Sequence, residues 1–471
     1  MAMNRKKVAV IGGGITGLTA AYYLQKEARQ KNLPLDVTLI EGSHRLGGKM
    51  QTYKKDGYVI ERGPDSFLER KASAGRLITE VGLKDQLVNN TAGKSYVLVN
   101  DKLHPMPGGS VMGIPTEIGP FVATRLFSPL GKLRAAGDFV LPKSSMPSGD
   151  QSLGQFFRRR VGNEVLENLI EPLLSGIYAG DIDKMSVMAT FPSFYQLEQK
   201  YGSLILGMKK TTPKKPKTQV KASPKGIFQT LTGGLQSLAD AIEQQLTEGS
   251  VILGDRVVSV EKFGQGYEIK LSSGTTMYAD SIVMAVPYHV ILKIFPQEKV
   301  FAPLKQMTAT SVANVALAFD ESVIKKDIDG TGFVVSRNGD YTITAITWTH
   351  KKWPHSTPKG KALLRLYVGR PGDEACVDLP DEELIDLVLS DLNKTMNITD
   401  KPELYVISRW KEAMPQYNVG HRQRVDQVKA HTKEKFPGMF LCGASFNGIG
   451  LPDCIDQGEA AVKEVLSYLQ I

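Results

Sequence analysis

One stretch constrains the fold more than any other. Residues 8–11 read Val-Ala-Val-Ile, a short β-branched run suited to a buried parallel strand. Gly12, Gly13, Gly14, Ile15, Thr16 and Gly17 follow, then an apolar-periodic helix through Leu24, then a second strand over 37–40 that ends in Glu41. Glycines at 12, 14 and 17 match the dinucleotide fingerprint between a strand and a helix. The first serves a tight turn, the second a close backbone approach to pyrophosphate, the third helix-on-strand packing. The helix start offers unpaired N–H groups and a positive dipole end to phosphates. A carboxylate at 41 suits a ribose hydroxyl and repels a 2′-phosphate. Residues 8–25 carry no charge over 18 positions, the length of a membrane span, but four glycines and a strand-then-helix pattern argue against one.

A chain of 471 residues exceeds one simple core, so two or three domains are expected. With 42% hydrophobic and 23% charged residues it reads as a soluble globular protein. The net charge of +9 is compatible with an anionic substrate or an anionic membrane surface. Nucleic acid fits poorly, because the basic residues are scattered and no binding motif is present. Cys376, Cys442 and Cys454 have neither metal-ligand nor redox spacing, so no metal is expected. Sparse cysteines and a start running straight into the first strand predict a cytoplasmic location.

After Glu41, the glycine loop over 42–52 carries Arg45 and Lys49, which could offset phosphate charge from the far side of a dinucleotide. A strand over 58–61 leads to Gly63, Pro64, Asp65 and Ser66, a bend that lets backbone atoms face a ring system. Lys71 and Arg76 fall on a helix expected over about 70–81, where lysines are usually solvated. Residues 96–99 and 102–104 predict a hairpin closed by Asn100-Asp101. Residues 105–141 are apolar, broken by Pro and Gly, too interrupted to span a bilayer, and suited either to packing as a helical subdomain or to lying against a membrane surface. Helical patterning over 151–174, with Ser152 as N-cap, precedes residues 171–181, whose small residues around Ile177 and Tyr178 suit a loop lining a flat apolar cavity. Residues 209–225 hold seven lysines and three prolines and predict a flexible surface loop. An amphipathic helix is expected over about 235–246, strands over 257–260, 267–271 and 281–286, and an antiparallel sheet from 310–319, 332–336, 341–349 and 362–369. A helix over 381–395, a strand over 404–410, a strand near 438–444, a glycine-rich bend and a helix over about 452–469 close the chain.

These residues carry a resemblance. The fingerprint, the Arg45–Lys49 glycine loop and the closing bend resemble the flavin-dependent amine oxidase superfamily. Residues 63–67, 171–181 and 445–458 are similar to the protoporphyrinogen oxidase family, above all its soluble bacterial members, the coproporphyrinogen III oxidases. The likeness runs through essentially the whole chain, and Ser-Gly-Ile-Tyr-Ala-Gly-Asp at 175–181 is its most specific part.

The resemblance implies an α/β protein. It would have a discontinuous Rossmann-type FAD-binding domain (1–84, 226–300, 404–471), an inserted α+β substrate domain (85–104, 301–403), an α-helical domain (105–205) and the lysine- and proline-rich loop (206–225). It implies FAD contacts at Gly12, Gly13, Gly14, Ile15, Thr16, Gly17, Glu41, Arg45, Lys49, Gly63, Pro64, Asp65, Ser66, Val257, Trp410, Ile449, Gly450 and Leu451. Lys71 would take a substrate carboxylate, and Gly176 and Ile177 would line the substrate cavity. The implied reaction is oxidation of a porphyrinogen to a porphyrin in haem synthesis, in three rounds, with molecular oxygen reoxidising the flavin and hydrogen peroxide as by-product. No residue is singled out as catalytic. An amine oxidase or carotenoid desaturase is the alternative within the superfamily; a binding protein without turnover is the alternative outside it.

Overall fold

The computed structural model describes residues 5–146, 149–212, 225–325 and 327–471. The middle of the expected lysine-rich loop, 213–224, lies outside the described residues. Five parallel strands build the central sheet, in the order Val251–Leu253, Leu35–Glu41, Lys6–Ile11, Ser281–Met284, Met439–Leu441. Three distant parts of the chain thus share one sheet. Parallel strands require coverage on both faces. The opening helix Ile15–Lys31 and the closing helix Leu451–Leu469 cover one face, with Leu18, Leu24, Leu39, Ile455 and Val465 buried between them. An antiparallel meander of Val257–Phe263, Gly266–Leu271 and Thr276–Ala279 contributes to a second core around Ile282, Met284 and Phe301 on the other.

A second sheet has seven strands: Leu404–Pro415, Ala309–Asp320, Lys361–Val368, Ile343–Trp348, Gly332–Val335, Ser95–Val99 and Lys102–Pro105. Neighbours are antiparallel except Gly332–Val335, which runs parallel to Ser95–Val99. The hairpin at 95–105 turns through Asn100 (φ 48°) and Asp101 (φ 59°), the left-handed pair a two-residue I′ turn requires. One expectation is corrected here. The strand at 404–415, assigned from sequence with the nucleotide-binding part, pairs with Ala309–Asp320 from Ala318↔Leu404 to Ala309↔Pro415. Two twelve-residue strands satisfy each other's backbone groups more fully than the three-residue Met439–Leu441 strand could.

Helices between 118 and 211 enclose a third core around Phe156, Phe157, Leu166 and Phe194. Ser128, Ser152, Ser186 and Ser203 each cap a helix by accepting from the N–H three residues on. The second correction concerns 171–181. The expected cavity-lining loop is a helix, Glu171–Tyr178, continuing a π-helical turn at Leu166–Ile170. Pro172 follows directly on the π turn, Leu174 and Tyr178 bury one face at i, i+4, and Ala179 at φ 48° ends the helix. Among the described residues, no helix is long and apolar enough to cross a membrane.

Candidate functional site

The fingerprint glycines are each required for a separable reason. Gly12 lies at φ 106°, and a Cβ there would stand 2.5 Å from the Ala285 carbonyl oxygen. A Cβ on Gly17 would stand 1.9 Å from the Gly12 oxygen, so helix and strand touch through bare backbone. Gly14 differs: it is extended at the N-cap of the opening helix, with no side-chain cap, and a Cβ there would meet nothing within 4 Å. Ile15, Thr16 and Gly17 form the first turn, whose N–H groups have no intrahelical partners. Glu41 is fixed by the Gly13 and Ser43 N–H groups, which donate to its two oxygens at 2.7 and 2.8 Å. An uncapped helix start, an open glycine face and an anchored carboxylate fit a dinucleotide's pyrophosphate and ribose.

The basic residues of the glycine loop both bond to backbone carbonyls of the folded chain. The Arg45 guanidinium donates to the Leu46 and Met50 carbonyls at 3.0 and 3.3 Å, to Gly48, and to Gln236 at 3.1 Å; burial lowers its pKa. It ties its own loop into shape, and that loop is joined to the fingerprint by the Gly47 N–H donating to Gly13 at 2.8 Å. Lys49 is half-buried and donates to the Ala413 carbonyl, with desolvation lowering its pKa. Val257 begins the meander beside the Glu41 end of the sheet, where Leu253 pairs with Glu41 and the Gly254 N–H donates to Ser43 at 2.8 Å.

The turn at 63–66 lies between the seven-stranded sheet and the glycine loop. A Cβ on Gly63 would stand 1.9 Å from the Lys49 oxygen. The preceding Arg62 carbonyl accepts from Trp410 Nε1 at 2.8 Å and from Asn314 Nδ2. After Pro64, Asp65 accepts from Lys352 Nζ at 2.8 Å, Trp353 Nε1 at 3.3 Å and Ser66 Oγ at 2.7 Å. Burial alone would raise the Asp65 pKa; Lys352 and Arg365 override it and hold the carboxyl well below its usual range.

At the closing bend, Gly448 adopts φ 89° and Gly450 is the uncapped N-cap of the last helix, with Pro452 in its first turn. Ile449 packs on the helical core, whereas Leu451 is buried in the nucleotide-side core. A Cβ on Gly458 would stand 2.6 Å from the Thr16 oxygen, so the opening and closing helices cross closely and bring both bends together. Lys71, the N-cap of Ala72–Glu80, is not a free cation: it pairs with Asp453 in the first turn of the closing helix. Asp453 also faces Tyr178, whose hydroxyl burial and that charge push up to about 12. Gly176 and Ile177 immediately precede Tyr178 on its helix, Ile177 44% exposed and Gly176 with open space where a Cβ would be.

Asp453, Lys352, Arg365, Asn314 and Glu61 were not anticipated. Arg365 had a signal: it is the one charge within the apolar run 362–368. Glu61 is buried, accepting from the Leu235 N–H at 2.6 Å and Thr52 Oγ1 at 3.0 Å, and burial pushes its pKa up to about 7. The folded state therefore holds a proton that the unfolded state releases near pH 4.5. This contribution to stability is present below pH 4.5 and lost as pH rises through about 7, by about 3 kcal/mol. Glu61→Gln should flatten the urea-denaturation stability profile between those limits; an unchanged slope would contradict the assignment.

The chain matches the model of the flavin containing amine oxidoreductase family over residues 15–466. It is 57% identical over 469 residues to a coproporphyrinogen III oxidase of Bacillus subtilis, covering 100% of both chains. It is 47% identical to a coproporphyrinogen III oxidase of Staphylococcus aureus (98% and 100% covered), and 31% to the chloroplastic protoporphyrinogen oxidase 1 of Spinacia oleracea (98% and 84%). A crystal structure from Exiguobacterium sp. 255-15, carrying the provisional name protoporphyrinogen oxidase, superposes with TM-score 0.88 at 38% identity and 100% coverage of both chains. Putrescine oxidase superposes with TM-score 0.70 at 16% identity, covering 98% and 99%, a likeness of fold alone.

Proposed function

The chain belongs to the flavin-containing amine oxidoreductase family and uses FAD, and on that premise we propose that it oxidises coproporphyrinogen III to coproporphyrin III in haem biosynthesis. It is an FAD-dependent porphyrinogen oxidase; the choice of the tetracarboxylate substrate is the finer part of the reading. The carrying observation is the 57% identity, end to end, with a protein named for that reaction. Protoporphyrinogen oxidation is the second reading, favoured by the spinach likeness.

A porphyrinogen joins electron-rich pyrroles through saturated carbon bridges; bound FAD would supply an acceptor for the hydride of such a bridge while a pyrrole nitrogen gives up a proton, and over three such rounds oxygen would take the electrons and leave hydrogen peroxide. The protein's task is position and dryness. We read the parallel-sheet unit as the FAD-binding part, the seven-stranded sheet as the substrate part, and the helical set as the wall that presents Gly176 and Ile177 to the macrocycle. Gly176 leaves room for a flat ring, and Ile177 offers it apolar surface. Contacts of residues 12–17, 41, 45, 49, 63–66, 257, 410 and 449–451 with FAD, as the family resemblance implies them, belong to the same proposal. The outward side chains Ile118, Val122, Leu130, Leu133 and Val140 mark where a peripheral membrane contact would fall. A cytoplasmic location is supported by three free, buried cysteines.

Lys71 is proposed to bind a propionate in exchange for Asp453. Lys71→Ala should raise KM about tenfold, with FAD content unchanged. Asp453→Asn releases the lysine and removes a competing negative charge, and should lower KM about threefold. Equal loss of FAD and substrate affinity in Lys71→Ala, or a raised KM in Asp453→Asn, would contradict the role. The substrate itself is tested by oxidation rates of coproporphyrinogen III and protoporphyrinogen IX side by side. The first is expected to be faster; the reverse order would overturn the preference.

A further inference from the structure

Arg365 is separated by 302 residues from the Gly63 carbonyl to which its Nη2 donates at 2.9 Å. It is 1% exposed, in the middle of the Lys361–Val368 strand. Its Nη1 stands 3.8 Å from Asp65, which Lys352 already neutralises at 2.8 Å. Among the described residues, its Nε has no partner. An unpartnered buried N–H of a guanidinium is costly enough to call for an acceptor.

That acceptor has a place. A cavity of about 20 Å³ is lined by Glu61, Asp65, Thr230, His355, Ser356 and Arg365. Val59, Leu231 and Trp353 make much of its wall apolar, but Glu61, Asp65 and Arg365 give a water polar partners, and the volume is about what one water needs. The Glu61 oxygens each accept one bond, from the Leu235 N–H and Thr52 Oγ1, and each keeps a lone pair. Glu61 begins, and Asp65 ends, the segment that Arg365 spans.

We propose that Arg365 is a positioning residue, locking residues 61–65 onto the seven-stranded sheet so that the 63–66 turn is held ready for the flavin, and that one buried water joins its Nε to the Glu61 carboxyl. The inference rests on the reading of the 63–66 turn as flavin-side, and on no identity of the substrate. The geometry is a three-point clamp: a carbonyl at Gly63, a carboxylate at Asp65 and a water-linked carboxyl at Glu61. A neutral side chain of similar volume keeps the packing but loses all three. A lysine keeps charge without the fork that reaches two acceptors in fixed directions.

The test is the affinity of apoprotein for FAD, followed by quenching of flavin fluorescence, beside the thermal midpoint of each apoprotein. Arg365→Met should raise the Kd about tenfold or more, and Arg365→Lys about threefold. Leu364→Ala is the control: Leu364 is buried in the same strand, in the core on the opposite face. It should lower the thermal midpoint while leaving the Kd within about twofold of wild type. A wild-type Kd in Arg365→Met, or an equal loss in Leu364→Ala, would overturn the proposal. Should Arg365→Met fail to fold, Arg365→Lys decides, and a Kd indistinguishable from wild type overturns it. A crystal structure of the holoenzyme that left the cavity empty would overturn the water. Failure of the substrate assignment would leave these titrations untouched, so the two outcomes are distinguishable.

Discussion

Replacing Gly17 with alanine should raise the Kd for FAD about a hundredfold, equivalent to about 3 kcal/mol. The added carbon would stand 1.9 Å from the Gly12 oxygen, 3.1 Å from the Gly12 carbonyl carbon and 3.3 Å from Ala285 Cβ. None of these is the far end of a flexible side chain. The opening helix must therefore move off its strand, carrying its uncapped start away from the pyrophosphate position. Part of the cost falls on the fold itself, about 1–3 kcal/mol as for an overpacked core. Gly14→Ala separates the two effects. No protein atom lies within 4 Å of that Cβ, and φ −71° is open to any residue. The apoprotein should melt as wild type does, while FAD binds more weakly because the methyl stands where the cofactor's backbone approaches. Thermal melts of apoprotein and FAD titrations read both quantities. Wild-type FAD affinity in Gly14→Ala would place the dinucleotide elsewhere.

Arg160→Met should cost about 3–5 kcal/mol of stability, the penalty of leaving buried charge without its partner. Arg160, Asp138 and Glu198 are all fully buried in the helical set. The guanidinium meets Asp138 at 2.5 Å and Glu198 at 3.3 Å, and donates to the carbonyls of Asp138, Gly202 and Pro142 at 2.8, 3.0 and 3.0 Å. Asp138 also receives Ser203 Oγ and the Ile205 N–H. One arginine thus closes the ends of several helices whose core includes Leu174 and Tyr178, which flank Gly176 and Ile177. Denaturant titration monitored by far-UV circular dichroism measures the loss. A shift below about 1 kcal/mol, the range of an exposed pair, would contradict the reading.

The sequence carried what is local and periodic. A glycine fingerprint, a two-residue hairpin and apolar alternation are decided within a few residues of themselves, and the structure has them at 12–17, 95–105 and 309–368. Partnership at a distance was not visible. Lys71 looked like a free cation because nothing near it reveals Asp453, 382 residues later. Arg45 suits phosphate by type, but its bonds to the carbonyls of its own loop could not be read from sequence, because only the folded loop turns those carbonyls inward. The 171–181 segment looked like a loop because Pro, Ser and Gly depress helix propensity; burial of Leu174 and Tyr178 outweighs that cost. The strand at 404–415 showed its existence but not its sheet, since strand patterning names no partner.

The central claim is that two glycine bends, at 12–17 and 448–450, hold one FAD beside a porphyrinogen. Its most direct test is anaerobic mixing of FAD-loaded protein with coproporphyrinogen III, watching flavin and porphyrin absorbance together. The flavin should bleach as the porphyrinogen is consumed, more slowly when the carbon bridges are deuterated. A flavin that stays oxidised while porphyrin forms only at the uncatalysed rate would contradict the claim.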